Sequence, residues 1–453
     1  MPSFDSETSL KILTLNCYLL PPFPILNYLP WVPENQNPRD SLKRLNDICD
    51  NILANDYDIV CLQEVWMEEH KNEIVAQLNM KYSFYAWFPS GFLPGSGLLT
   101  LSKHKIVSSF FHRFLLEDKV FPFGSIDSIC GKGSAVSLID YKGFMISVIN
   151  THPQCETLTD SKNEIRLVQL WDIAQLANYC SRNSDVIILC GDFNARPSFE
   201  GMQLLRHIAG VRDCHSTALG NCTEDFVPNK DTNGVTYARQ DNNLVERGYF
   251  NFYPNGARID YILYSAGRDG DRKADWKNTS GSVSQLKCDW TRTRPWGLLG
   301  SQSRMPFSDH EGVDAQLSWV TETVAENGSG DIKKKSQLAN DEKSAINNHG
   351  KGLLETSAKT FAILAAKAIA KKKIQLMFAI MSSITAVMVL LLQLMCLFNL
   401  IEFENPSRLM GFLGLSQTTL IVSFGCSFYL FYFYKCAASA YLQAHHSLKH
   451  LSF

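Results

Sequence analysis

An α/β domain followed by a two-helix transmembrane hairpin is the fold class the sequence predicts, and three observations predict it. Short β-rich runs alternate with amphipathic segments over residues 1–325. A stretch rich in Gly, Asn, Ser and Lys follows at 326–350 and reads as a polar linker. Two apolar stretches, 374–401 and 409–434, then run 28 and 26 residues without a charge.

The β-rich runs lie at 10–18, 58–65, 98–101, 134–139, 144–150, 185–190, 259–264 and 312–319. Among the amphipathic segments, SLKRLNDICDNILA repeats Leu42, Leu45, Ile48 and Ile52 at helical spacing. Strands alternating with helices imply an α/β domain with a substantial core. Residues 351–373 carry lysines at 351, 359, 367 and 371–373 in a strongly helix-forming context. This basic juxtamembrane helix can run into the first apolar stretch as one helix of about 45–50 residues, some 70 Å long. It reads either as a solvated spacer or as a stalk near anionic headgroups, where each Lys contributes about 1 kcal/mol. A bilayer core needs about 20 helical residues, so both apolar stretches are long enough to span one. Lys371 to Lys373 precede the first span and Lys435 follows the second, whereas the turn at 402–408 offers Arg408 alone. The positive-inside rule then puts both termini and the α/β domain in the cytosol. An endomembrane such as the endoplasmic reticulum is the expected host, with the choice of membrane left open.

Charge divides along the same line. The chain of 453 residues has a net charge of −2, but residues 1–330 hold 30 basic and 39 acidic side chains, and residues 331–453 hold 13 and 6. An acidic body thus carries a basic, apolar tail. With 45% hydrophobic and 19% charged residues, wholesale disorder and collagen-like repeats are excluded. Thirteen cysteines without a CxxC pair argue against a disulfide scaffold or structural zinc and for reduced thiols in a reducing compartment. The N-terminal MPSFDSETSLKILTL lacks the basic and apolar regions of a signal peptide.

Polar residues released at the ends of apolar runs carry the chemistry. They are Asn16 in LTLNCY, Glu64 in DIVCLQEVW, His152 in VINTHPQ, and Asp192 and Asn194 in VIILCGDFNARP. Arg258 and Asp260 stand in GARIDYILY, and Asp309 and His310 in MPFSDHEG. Loops at strand ends can bring such residues into one cleft. Oxygen donors without thiolates suit a hard divalent ion, Mg²⁺ or Mn²⁺. A histidine beside a carboxylate can take a proton from water near neutral pH, and further amide and imidazole donors can stabilise charge on phosphorus. Phosphoester hydrolysis is the chemistry this collection fits best. A separate segment, SIDSICGKGSA, holds Asp127 and Lys132 but fails the Walker A pattern. It reads either as a Gly-rich turn or as a loop whose lysine reaches phosphate when the Asp–Lys pair opens.

The order Asn16, Glu64, His152, Asp192, Asn194, Asp309, His310 resembles that of the endonuclease/exonuclease/phosphatase superfamily with its DNase I-like fold. LQEVW (62–66), GSGL (95–98), LCGDFN (189–194), RIDYILY (258–264) and FSDHE (307–311), with the hairpin behind them, resemble the neutral sphingomyelinases and inositol phosphosphingolipid phospholipases C. The resemblance implies a four-layer α/β sandwich and Mg²⁺-dependent phospholipase C chemistry on a sphingolipid, activated by anionic phospholipid. It implies Glu64 as the principal metal ligand with Asn16 in support, and His310 as general base. Asp309 would support the metal or orient His310. His152, Asp192 and Asn194 would bind phosphate or stabilise the transition state, with Asp127, Lys132 and Arg258 in the phosphate loop.

A nuclease and a phosphoinositide phosphatase are rivals with the same constellation, and a silent membrane scaffold is a third. The acidic body and the absence of a clustered basic run argue against nucleic acid as a partner. Intact candidate residues argue against the scaffold. Sequons at Asn221, Asn278 and Asn327 give a check on topology, since glycan there would put the body in the lumen. The choice between choline and inositol phosphate as headgroup, and self-association through the spans, are left open.

Overall fold

Two parallel strand pairs, each joined through a helix, set the plan of the first part of the chain. A computed structural model describes residues 9–20, 38–88, 96–117, 130–155, 160–218, 234–239, 242, 253, 255–266, 283–294, 306–322, 331–398 and 406–451. The chain divides into two units, Met1–Glu117 with Ile129–Gly350, and Asp118–Ser128 with Lys351–Phe453.

The first unit runs β1 (Ser9–Leu19), α1 (Pro38–Asn55), β2 (Ile59–Val65), α2 (Glu68–Leu78), β3 (Phe84–Trp87), β4 (Leu99–Ser102) and β5 (Ile106–Arg113). It continues with β6 (Gly133–Tyr141), β7 (Phe144–Thr151), α3 (Asp160–Ser181), β8 (Val186–Asp192), α4 (Glu200–Ala209), β9 (Arg212–Asp213) and α5 (Cys214–Ala218). It closes with β10 (Asp260–Ala266), β11 (Val283–Arg294) and β12 (Gly312–Glu322). One sheet has the order β11-β12-β1-β2-β4-β3 and the other β5-β6-β7-β8-β10-β9. Among the described residues only β1–β2 and β7–β8 pair in parallel, and α1 and α3 supply the crossovers that parallel neighbours need.

Successive residues on the central strands face different layers, which makes the sandwich. Ile12, Ile59, Cys61, Val148, Ile188 and Cys190 fill the space between the sheets. Leu13, Val60 and Leu62 point the other way, against Leu45, Ile48 and Ile52 of α1 and Ile74 of α2. Ile149, Leu189 and Leu263 pack with Leu170 and Ile173 of α3 and Leu205 of α4. The result is the expected four-layer α/β sandwich. A strand buried on both faces has no polar side, which is why IVCL and VIILC read as unbroken apolar runs.

The second unit contains most of α6 (Asp331–Leu397) and all of α7 (Pro406–Leu451). The segment expected as a linker is helical from Asp331 onward. Its Lys, Gln, Ala, Leu and Glu residues are good helix formers and no proline interrupts them. The expected stalk and first span are therefore parts of one 67-residue helix. Ser382 and Ser423 hydroxyls meet at 3.3 Å, Lys371 Nζ lies 5.5 Å from the Tyr434 ring, and His445 Nδ1 donates to the Ala358 carbonyl at 2.7 Å. Steps forward along α6 match steps backward along α7, so the two helices run antiparallel. Both contain stretches long and apolar enough to cross a membrane, and only 6% of the most apolar part of each is buried. A core helix would hide Met377, Phe378, Met388, Leu415 and Ile421, all of which are exposed.

Candidate active site

The ends of β1, β2, β7, β8 and β10 converge with the turn before β12 at one end of the sandwich. At its centre Asn16 Nδ2 donates to Glu64 Oε1 and to Asp192 Oδ2, both at 3.1 Å, with His310 Nε2 at 3.5 Å. His152 Nε2 lies 3.4 Å from the same Asp192 oxygen and 4.0 Å from Glu64 Oε1. Lys132 Nζ sits 3.2 Å from His152 Nε2 and donates to the Pro153 carbonyl at 3.1 Å. That carbonyl also accepts Asn194 Nδ2 at 3.2 Å, and the Asn194 amide N–H donates to Asp192 Oδ1 at 2.8 Å. Residues up to 294 positions apart in sequence thus share one cluster, buried except for the partly exposed Glu64.

Local backbone conformation aims these groups. Glu64 and Asn194 have φ of +59° and +49°, a region that non-glycine residues enter only under constraint. Without that turn Glu64 would follow strand alternation away from Gln63 and face α1. Gly191, at φ +147°, pairs with Thr151, and any side chain there would run into the Thr151 carbonyl oxygen. The glycine of LCGDFN is what lets β7 and β8 approach closely enough to put His152 beside Asp192.

His310 Nδ1 bonds to Asp260 Oδ2 at 2.9 Å, leaving Nε2 to face the cluster, 3.7 Å from Asp192 Oδ2. The carboxylate bonded to His310 is Asp260, so of the two roles expected for Asp309, supporting the metal or orienting His310, the orienting one falls to Asp260. Asp309 follows Ser308, whose hydroxyl is 3.3 Å from Asp309 Oδ1, donates to the Asn16 carbonyl at 2.6 Å and accepts the His310 N–H at 3.1 Å. Arg258 departs from expectation as well: its Nη1 donates to Asp213 Oδ2 at 2.6 Å in a buried ion pair, outside the Glu64–His152 cluster. Asp127, expected to pair with Lys132, lies outside the described residues, as do the three sequons.

Two residues that the motifs did not single out belong to the site. Arg44, on α1, donates to the carbonyls of Cys17 at 3.1 Å, Tyr18 at 2.7 Å and Phe307 at 2.7 Å, tying the end of β1 to the turn that carries His310. Tyr237 holds its ring 4.6 Å from the His310 ring, tilted by 38°, and pairs with His310 through a backbone bridge. Neither sits in an apolar run with a polar exit, so neither had a signal of the kind that exposed the others.

Burial dominates the electrostatics. It pushes Asp192 up to about 6, with Asp260 adding to the rise and His310, the Asn194 N–H and the Asn16 amide opposing it. Asp309 also rises to about 6, through burial and Glu64, against His310 and Arg44. Burial would lower His310, yet Asp260, Asp192 and Asp309 together hold it well above its usual value. Asp192, Asp260 and His310 offer ligand atoms within 4.8 Å of one another, and Glu64 adds a carboxylate oxygen on the Asn16 amide it shares with Asp192. Oxygen donors in excess of nearby cations, with no thiolate among them, fit a hard divalent ion.

Residues 13–310 match the endonuclease/exonuclease/phosphatase family. Sphingomyelin phosphodiesterase 2 of Mus musculus is 31% identical over 310 residues, which cover 68% of this chain and 65% of that protein. Inositol phosphosphingolipids phospholipase C of Saccharomyces cerevisiae is 29% identical over 180 residues, 37% of this chain and 38% of that one. The crystal structure of sphingomyelinase C from Streptomyces griseocarneus gives a TM-score of 0.44 at 17% identity, covering 68% of this chain and 99% of that one. The matched region spans 64–66% of the length of the three mammalian relatives.

Proposed function

Because the chain belongs to the endonuclease/exonuclease/phosphatase family, we propose that it is a membrane-bound phosphodiesterase that cleaves a sphingolipid to ceramide and a phosphorylated headgroup. The observation that carries this reading is the convergence of buried Asn16, Asp192, His152 and His310 with the partly buried Glu64, at the ends of β1, β2, β7 and β8 and in the turn before β12. The sphingomyelin phosphodiesterase and phospholipase C names of the relatives supply the substrate class.

His310 is the general base: Asp260 accepts the proton on Nδ1 and turns Nε2 toward the cluster. The raised pKa of His310 would fall where a cation offsets the Asp192 and Asp309 charges, so that Nε2 can take a proton from water. The activated water attacks phosphorus, the bond from phosphorus to the ceramide oxygen breaks, and that oxygen takes up a proton and leaves as the ceramide hydroxyl. Asn194, His152 and Lys132 line the other side, where their N–H groups stabilise charge that builds on the phosphoryl oxygens. Glu64 would hold Mg²⁺ or Mn²⁺, with Asn16 and Asp192 beside it. Such an ion, when bound, polarises the phosphoryl oxygen and neutralises its charge. The exposed apolar faces of α6 and α7 anchor the protein, with spans at 374–401 and 409–434 and both ends on the cytosolic side of an endomembrane. The lysines of 351–373 meet anionic phospholipid, which acts as an activator.

The test is hydrolysis by the full chain in vesicles, with and without Mg²⁺ and an anionic phospholipid. Sphingomyelin, an inositol phosphosphingolipid, a phosphoinositide and duplex DNA are offered separately. Ceramide release from either sphingolipid, dependent on Mg²⁺, is expected, and the headgroup released identifies the preference. Phosphate release from the phosphoinositide, or DNA cleavage without ceramide release, would overturn the reading.

A further inference from the structure

We infer that a buried polar layer of Thr14, Gln63 and Asn150, one step beneath the candidate site, positions the strand ends that carry Asn16, Glu64 and His152. This rests on the proposed function and names residues that act on the site without touching it. All three are fully buried. Asn150, on β7 of one sheet, donates through Nδ2 to the carbonyls of Leu62 at 3.1 Å and Leu99 at 3.2 Å, on β2 and β4 of the other. Its Oδ1 accepts Gln63 Nε2 at 2.8 Å. Gln63 Nε2 also reaches Thr14 Oγ1 at 3.0 Å, which brings in β1.

Elsewhere the inner faces meet through Ile12, Cys61, Val148 and Ile188. Apolar contacts are non-directional and tolerate small slides of one sheet over the other. A buried amide that loses its partners is costly, so this network holds the sheets in one arrangement. It does so at the point that matters. The β2–β4 pairing ends at Leu62 opposite Leu99, where Asn150 inserts, and Gln63 and Glu64 follow at once. Thr14 precedes Asn16 by two residues on β1, and Asn150 precedes His152 by two at the end of β7, so each pair shares a face. A slip in this layer moves the Asn16, Glu64 and His152 groups apart together.

The experiment compares the full chain with Asn150→Ala, the milder Thr14→Val, and Tyr141→Phe as control. Tyr141 donates to the Ser9 carbonyl at 2.6 Å at the opposite end of the sandwich. Melting temperature, Mn²⁺ dissociation constant by electron paramagnetic resonance, kcat and KM on sphingolipid vesicles are measured. Asn150→Ala should weaken Mn²⁺ binding about tenfold and lower kcat about tenfold with KM unchanged, as loss of support behind a metal site does. Thr14→Val should shift both in the same direction by a smaller factor, and it decides the matter if Asn150→Ala does not fold. Tyr141→Phe should lose melting temperature and keep both constants. Folded variants of the layer whose Mn²⁺ affinity and kcat stay within twofold of the parent would reject the positioning role alone. A parent that neither binds Mn²⁺ nor hydrolyses sphingolipid would reject the functional reading, and this inference with it.

Discussion

The two ends of β2 hold acidic residues in opposite states. At the entrance, Asp56 lies between Lys81 and Lys103, at 2.7 and 3.0 Å, and those partners hold it down to about 2. Asp58 is partly buried, which would raise it, but His104, the Lys11 backbone N–H and Lys103 outweigh burial and lower it. At the exit, Asp192 and Asp309 rise to about 6, because burial there is not met by enough positive charge. One end spends its carboxylates on ion pairs that support the fold. The other keeps buried carboxylates short of counter-charge, an arrangement that favours a cation from solution over internal pairing. Groups placed for chemistry at a cost in stability are the usual trade at a functional site.

Variants at the exit should therefore damage activity far more than stability. His310→Ala is expected to lower kcat on sphingolipid by about 10²–10⁴, the span of general acid–base contributions. Asp192→Asn should also lose most activity, yet without divalent ion its melting temperature should equal or exceed that of the parent, because a costly buried charge is gone. The carboxylate is raised in the folded state, so ionising it costs stability as pH climbs from about 4 through about 6. An Asp192→Asn protein that is active, or that melts well below the parent at neutral pH, would erase the contrast between the two ends.

Arg258 sharpens the comparison because sequence placed it with the site and structure places it in an ion pair with Asp213. Removing one member of a buried pair strands the other, at a cost of about 3–5 kcal/mol. Arg258→Ala should thus behave as a stability variant, with a large drop in denaturant midpoint and near-parental KM in the fraction that remains folded. A raised KM at unchanged stability would return Arg258 to the phosphate.

How much of this was legible in the sequence follows from burial. The eight β-rich runs correspond to β1, β2, β4, β6, β7, β8, β10 and β12, the strands inside the sheets. The edges are β3, β5, β9 and β11, and none of them stood out. An edge strand such as β5 is mostly exposed, so it carries Ser, His and Arg among its apolar residues and its pattern is diluted. The site was legible for a related reason: a polar residue ending an apolar run is conspicuous. That signal finds Asn16, Glu64, His152 and Asp192 but is silent about pairing, so it could not choose between Asp260 and Asp309 as the partner of His310. Arg44 was invisible because its role depends on Phe307, 263 residues away, while locally it looks like one more charge on a helix.

The smallest expected effect lies at the entrance and is the most specific to the contrast. Asp58 Oδ2 accepts the Lys11 N–H at 2.8 Å, and Oδ1 stands 3.5 Å from Lys103 Nζ and 3.7 Å from His104 Nε2. Asp58→Asn keeps an acceptor for Lys11 and loses only the charge, so the expected destabilisation at neutral pH is about 0.5–1 kcal/mol. The sign of its pH dependence is fixed. A carboxylate whose folded value is depressed contributes stability above its unfolded value of about 3.9 and loses that contribution as pH falls through the folded value. The deficit of Asp58→Asn in urea midpoints should therefore be full at pH 6 and shrink below about pH 4, while kcat stays within twofold of the parent throughout. A constant deficit would mean that Asp58 acts through shape and not charge. A fall in kcat would mean that the two ends of β2 are coupled, so that loosening the ion pairs at one end disturbs Glu64 at the other.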